Sequence, residues 1–158
     1  MTETATKNEM LRRWENFQKF PFGKLLFDLV IKLYIPYTGS MSAHVQELRS
    51  GYARVCLREH RKVRNHLRSV HAIALANLVE YTGNLALVCG MPDDARFIPK
   101  NISINYIKKG RGLLTGECFA PKVETNEKRE YTVDVTIKDA QGDVVAEGKL
   151  LTLVGPKK

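Results

Sequence analysis

Hydrophobic positions recur with a helical period at the start of the chain and alternate with polar ones through much of the rest. In one segment between, they run almost unbroken. Near the start, Leu11, Trp14 and Phe17 or Phe20 form one apolar stripe, which predicts an amphipathic helix to about Lys19. Thr6 and Glu9 supply a T-x-x-E capping box at its start, and residues 1–6 read as a disordered lead. Pro21 breaks the pattern. Leu25, Leu26, Leu29, Val30 and Leu33 then line one side of a second helix, from about Phe22 to Tyr34. Pro36 and Gly39 end it.

Strand periodicity follows. Val45–Arg49 is a short candidate and Tyr52–His60 a clearer one, joined by a turn at Ser50-Gly51. In the second, Ala53, Val55 and Leu57 alternate with Arg54, Cys56 and Arg58, the period of a half-buried strand. Arg61–Ser69 is a basic, irregular connector. The next segment, about 71–88, is apolar nearly all round, which predicts a helix enclosed by other structure. Strands are then expected at Phe97–Ile107, Leu113–Ala120, Glu130–Lys138 and Val144–Val154. Between them lie the turn Lys108–Gly112, a polar and mobile loop Pro121–Lys128, and a hairpin turn at Asp139–Asp143. One antiparallel sheet must cover the central helix for both to bury their apolar faces. The fold class is therefore α+β: a sheet wrapped around a buried helix, with two extra N-terminal helices. Residues 1–39 read as a helical extension and 40–158 as the main domain, together one structural unit.

Composition narrows the function. The chain has 158 residues and a formal charge of +8, with a pI near 9.5. A basic surface favours polyanions: nucleic acid, anionic lipid, or phosphate-bearing coenzyme A and acyl carrier protein. Nucleic acid is set aside, because the basic residues lack interleaved stacking aromatics and no recognition helix stands out. Cys56, Cys89 and Cys118 are widely spaced and form no CxxC. That excludes the usual zinc and dithiol motifs and suits a reducing, cytoplasmic compartment. No metal or separate cofactor is called for. The N-terminus has no signal-peptide core. Phe22–Pro36 is too short to span a bilayer and carries Lys24, Asp28 and Lys32, while 71–89 contains His71, Asn77, Glu80 and Asn84. Stable membrane insertion is not expected.

Glu80 is the one charged side chain between His71 and Cys89. A buried carboxylate without a partner costs several kcal/mol, of order what a single mutation rarely exceeds, so chemistry is the first explanation to test. The connector and helix read NHLRSVHAIALANLVE, with Asn65, His71, Ala72 and Glu80 as marked positions. This spacing resembles the hotdog-fold thioesterases, and within them the branch related to phenylacetyl-CoA thioesterases, over about residues 40–155. The strand NISINY ahead of the KKGRG turn is similar to the family's following strand. Ala72 stands where the family has Gly, and the position of a Ser or Thr seen in some relatives falls near Pro99.

The resemblance implies a hotdog fold and hydrolysis of an acyl-CoA or acyl-carrier-protein thioester, coenzyme A entering as part of the substrate. Glu80 would act as general base or nucleophile, and the Ala72 N–H as oxyanion donor. Asn65 would orient the carbonyl or the water, and His71 would support the loop. His71 and Glu80 are nine residues apart, which puts them ~13–14 Å apart along a helix and on opposite sides of it. One chain cannot bring them to one centre. The expected arrangement is a homodimer, or a dimer of dimers (a homotetramer), with two composite sites per dimer.

Each residue also has a plainer reading. Glu80 can be a carboxylate satisfied by amides or a connector Arg, His71 a simple helix-start side chain, and Asn65 a loop-ordering amide. Lys108, Lys109 and Arg111 suit coenzyme A phosphates or form a solvated turn. Arg58, Arg61, Lys62, Arg64 and Arg68 make a second basic cluster with the same two readings. A non-catalytic acyl-CoA-binding module on the same fold is the alternative function. The dehydratase and hydratase branches do not fit, since residues 65–80 contain no Pro and no Asp.

Overall fold

The computed structural model describes residues 8–157. Three helices come first: α1 (Glu9–Gln18), α2 (Gly23–Tyr34) and the single turn α3 (Pro36–Gly39). Strands β1 (His44–Arg49) and β2 (Tyr52–Arg58) lead through a short 3-10 turn, Arg61–Val63, to α4 (Ala72–Cys89). The chain ends in β3 (Ala95–Tyr106), β4 (Leu113–Phe119), β5 (Arg129–Lys138) and β6 (Val144–Pro156). The strands form one antiparallel sheet in the order β1-β2-β4-β5-β6-β3.

The sheet curls around α4. Ala53, Val55 and Leu57 of β2 and Val133, Val135 and Ile137 of β5 are fully or almost fully buried, as strand alternation requires. They meet Leu78, Val79, Ala86 and Leu87 of the helix in one core. Glycines set how close the helix lies. A Cβ at Gly148 would stand 2.2 Å from Val79 Cγ1, and one at Gly83 2.4 Å from Leu150 Cδ1. Gly148→Ala is expected to destabilise the fold by about 1–3 kcal/mol through overpacking, read as a lowered melting temperature.

The start of α1 corrects the expected cap. Asn8 holds the cap position and accepts from the Leu11 N–H at 3.0 Å. Thr6 and the expected disordered lead lie outside the described residues. The Asn8 amide also donates to the Val88 and Met91 carbonyls, and Arg12 pairs with Asp93 at 2.8 Å. The Glu9 N–H reaches Asp93 Oδ1, and that bond, with Arg12, holds the Asp93 carboxyl below the usual carboxylate range. These contacts fasten α1 to the C-terminal end of α4. Trp14 and Leu11 are buried, with Trp14 packed edge-on against Phe27 of α2, while Phe20 is exposed.

Helix α2 buries a different side from the one its leucines mark. Phe27 and Ile31 face the core, and Asp28 joins α2 to β1 through the Val45 N–H and His44, both at 2.9 Å. Leu25, Leu26, Leu29, Val30 and Leu33 are all exposed. The helix is apolar on both sides, so its hydrophobic stripe alone could not say which side packs. The loop 121–128, expected to be mobile, is anchored by the buried Val123.

Two strands end the sheet. The outer edge of β1 is covered by α2. Among the described residues, no strand pairs with the outer edge of β3, which is twelve residues long and leaves Ile98, Ile102 and Tyr106 exposed. Pro99 sits in β3 without cost because an edge strand has backbone positions that donate to no neighbour.

Candidate active site

The connector ahead of α4 is held by its own backbone. Arg64 bridges Val70, and the Asn65 N–H donates to the Ser69 carbonyl at 2.9 Å. Inside this closed loop, Asn65 Oδ1 accepts from the Leu67 N–H (2.9 Å), the Ser69 N–H and the Ser69 hydroxyl (both 3.2 Å). The loop-ordering role is therefore real, and it belongs to the oxygen. The Asn65 Nδ2 amide remains as a hydrogen-bond donor.

His71 caps α4. Its Nδ1 accepts from the Ile73 N–H at 3.1 Å, and its own N–H donates to the Val63 carbonyl at 2.7 Å. An accepting Nδ1 puts the proton of a neutral ring on Nε2. Ala72 opens the helix and is exposed. Among the described residues, no acceptor meets its N–H, while its carbonyl accepts from the Tyr106 hydroxyl of β3 at 3.1 Å. Helix starts leave such N–H groups free, and their dipoles favour negative charge.

Helix α4 is not enclosed all round, contrary to its composition. Ile73 is 58% exposed, and Glu80, Asn84 and Val88 on the same side are half-buried. One face of the core helix thus stays open in a single chain. Two amides flank Glu80 on it: Asn77 three residues before and Asn84 four residues after. Among the described residues, neither buried Oδ1 atom has a hydrogen-bond partner. Buried polar atoms normally find partners, so this face is unfinished. Neither asparagine was expected to matter, although their spacing from Glu80 puts all three on one helix face. Glu80 has no hydrogen bond or ion pair among the described residues, so the satisfied-carboxylate reading finds no partner among them.

Helix α4 is continuous from Ala72 to Cys89, so Glu80 stands about 12 Å along the axis from Ala72. The single chain brings Asn65, His71 and Ala72 together at the helix start and leaves Glu80 apart. Burial pushes the Cys89 and Cys118 thiols up to about 12, which keeps both as packed thiols rather than thiolates. Among the described residues, no cluster of three His, Cys, Asp or Glu could hold a metal.

The basic residues divide by their partners. Lys108 is drawn into the β5–β6 turn by Asp139 (2.6 Å) and Asp143 (2.7 Å). Lys109, Arg111 and Arg68 are exposed, and Arg68 takes a left-handed backbone with φ 54°. The connector and the 108–112 turn are stitched together. Val70 N–H donates to Gly110 O at 2.8 Å. Glu59 accepts from the Gly112 N–H at 2.7 Å and from Arg64. The Gly112 bond, with Arg64, lowers the Glu59 carboxyl from its ordinary value. Arg68, Lys109 and Arg111 consequently share one rim beside the α4 start. Glu59, which makes that rim, carries no motif by which it could be found in the sequence.

A sheet wrapped around one long helix, closed in the order found here, is the hotdog fold. The chain belongs to the family described as Domain of unknown function (DUF4442), which matches residues 23–154 and so includes α2 as well as the sheet. No curated protein matches it. Among solved structures, the genomics target APC5556 is 25% identical, with a TM-score of 0.80 over 94% of this chain and 99% of that one. PA5026 of Pseudomonas aeruginosa, described as a probable thioesterase, is 21% identical, with a TM-score of 0.75 over 87% and 97%. A phenylacetic acid degradation-related protein of Ralstonia eutropha, described as a putative thioesterase, is 14% identical, with a TM-score of 0.65 over 75% and 89%.

Proposed function

We propose that the protein hydrolyses acyl thioesters of coenzyme A or of an acyl carrier protein in a site shared by two chains. The observation that carries this reading is the separation within α4: a helix-start N–H at Ala72 and a carboxylate at Glu80, both without a partner among the described residues, about 12 Å apart along one axis. Two α4 helices running antiparallel about a two-fold axis bring Ala72 of one chain opposite Glu80 of the other, twice. The open face of α4 and the bare β3 edge support such a dimer, since long exposed edges are templates for pairing. A dimer of dimers would repeat the same unit.

Glu80 takes a proton from water, and the resulting hydroxide attacks the thioester carbon. The oxyanion is met by the Ala72 N–H and the Asn65 Nδ2 of the other chain. The C–S bond then breaks, and Glu80 returns the proton to the thiolate. Nucleophilic attack by Glu80 itself is the less favoured route. His71 holds the loop through its cap. Arg68, Lys109 and Arg111 face the phosphates of the carrier, and Lys108 contributes less because two carboxylates offset it. Residues 1–39 act as a helical addition to a hotdog domain of 40–158, and the three free cysteines suit work in the cytoplasm.

A panel of acyl-CoA esters, followed by thiol release, tests this reading. Turnover of at least one ester is expected. Tight binding of CoA esters without release would favour the alternative, a non-catalytic acyl-CoA-binding module.

A further inference from the structure

We infer that the cavity between α1, α2 and the C-terminal end of α4 receives the acyl chain, which makes the substrate class medium- to long-chain rather than short-chain thioesters. This rests on the reading of Glu80 given above. The cavity measures about 340 Å3, within the range of ligand pockets. Its wall is apolar: Phe17 of α1, Phe27, Val30 and Ile31 of α2, Val88 of α4, and Met91. Of the charged side chains around it, Arg13 pairs with Glu9 and Asp93 with Arg12, and Lys157 stands with them beside the apolar wall.

Its position ties it to the reaction. Glu80, Asn84 and Val88 follow one another at intervals of four along the half-open face of α4. Val88 lines the cavity and lies about 12 Å along the helix from Glu80. A chain leaving the reacting carbon beside Glu80 can follow this strip, pass Asn84 and enter under α2. A short acyl group ends before Val88 and leaves the cavity empty. Each methylene that reaches the apolar wall should tighten binding about fourfold.

The test uses non-hydrolysable thioethers of coenzyme A carrying butyl, octyl or dodecyl chains, titrated by calorimetry. The wild-type chain is expected to bind the dodecyl compound about a hundredfold or more tighter than the butyl one. Val30→Trp fills the cavity from a half-exposed position and should remove that gain while leaving butyl affinity unchanged. Val88→Phe does the same from the opposite wall, should the first variant fold poorly. Affinity that stays flat from butyl to dodecyl, or a gain that survives both variants, overturns the assignment. Glu80→Ala should keep the full chain-length gain. A chain that shows the gain yet hydrolyses no ester leaves the cavity assigned and removes the hydrolase reading.

Discussion

Glu80→Ala is expected to lower kcat/KM for acyl-CoA hydrolysis by about a thousandfold, the range that loss of a general base or nucleophile produces. Melting temperature should move little, because Glu80 is half-buried and makes no bond within the chain whose loss would be felt. Glu80→Gln sharpens the result. It keeps the shape of the side chain but cannot accept a proton. Loss of rate in both variants shows that the reaction needs the carboxylate itself, as base or as nucleophile. Wild-type rates in Glu80→Gln would make the carboxylate a structural group that an amide replaces.

The second large effect should come from a site far from the chemistry. Ile102 lies on the bare β3 edge and is 39% exposed. Charged residues at a strand edge prevent it from pairing with another chain. Ile102→Lys is expected to give a folded monomer with a circular dichroism spectrum like the wild type. Hydrolysis should fall about as far as in Glu80→Ala, since Ala72 and Glu80 would no longer meet. Light scattering and the thiol-release assay read the two properties together. A monomer with wild-type turnover would show that one chain suffices.

The elements were legible because each obeys one period. Ala53, Val55 and Leu57 alternate strictly and are buried, with Arg54 and Arg58 turned outward. The central helix needed only its length and its unbroken apolar run. Side-chain partners were less legible, because they depend on which elements meet. Asn8 caps α1, because its side chain both accepts from the Leu11 N–H and reaches the end of α4. The buried side of α2 was decided by Asp28 and its bonds to β1, which leave the leucines outside. In the site, Asn65, His71, Ala72 and Glu80 were marked by spacing, but the orphaned amides of Asn77 and Asn84 gain meaning only from the open face between them. Lys108 could not be told from Lys109 until Asp139 and Asp143 claimed it.

Mixing two inactive variants tests the shared site most directly. Asn65→Ala spoils the helix-start half and Glu80→Ala the carboxylate half, so each homodimer should be inactive. When the two are co-refolded, about half of the dimers should be mixed, and each mixed dimer holds one intact site of two. Activity is expected to return to about a quarter of the wild-type value. A mixture no more active than its two components would contradict a site built from two chains.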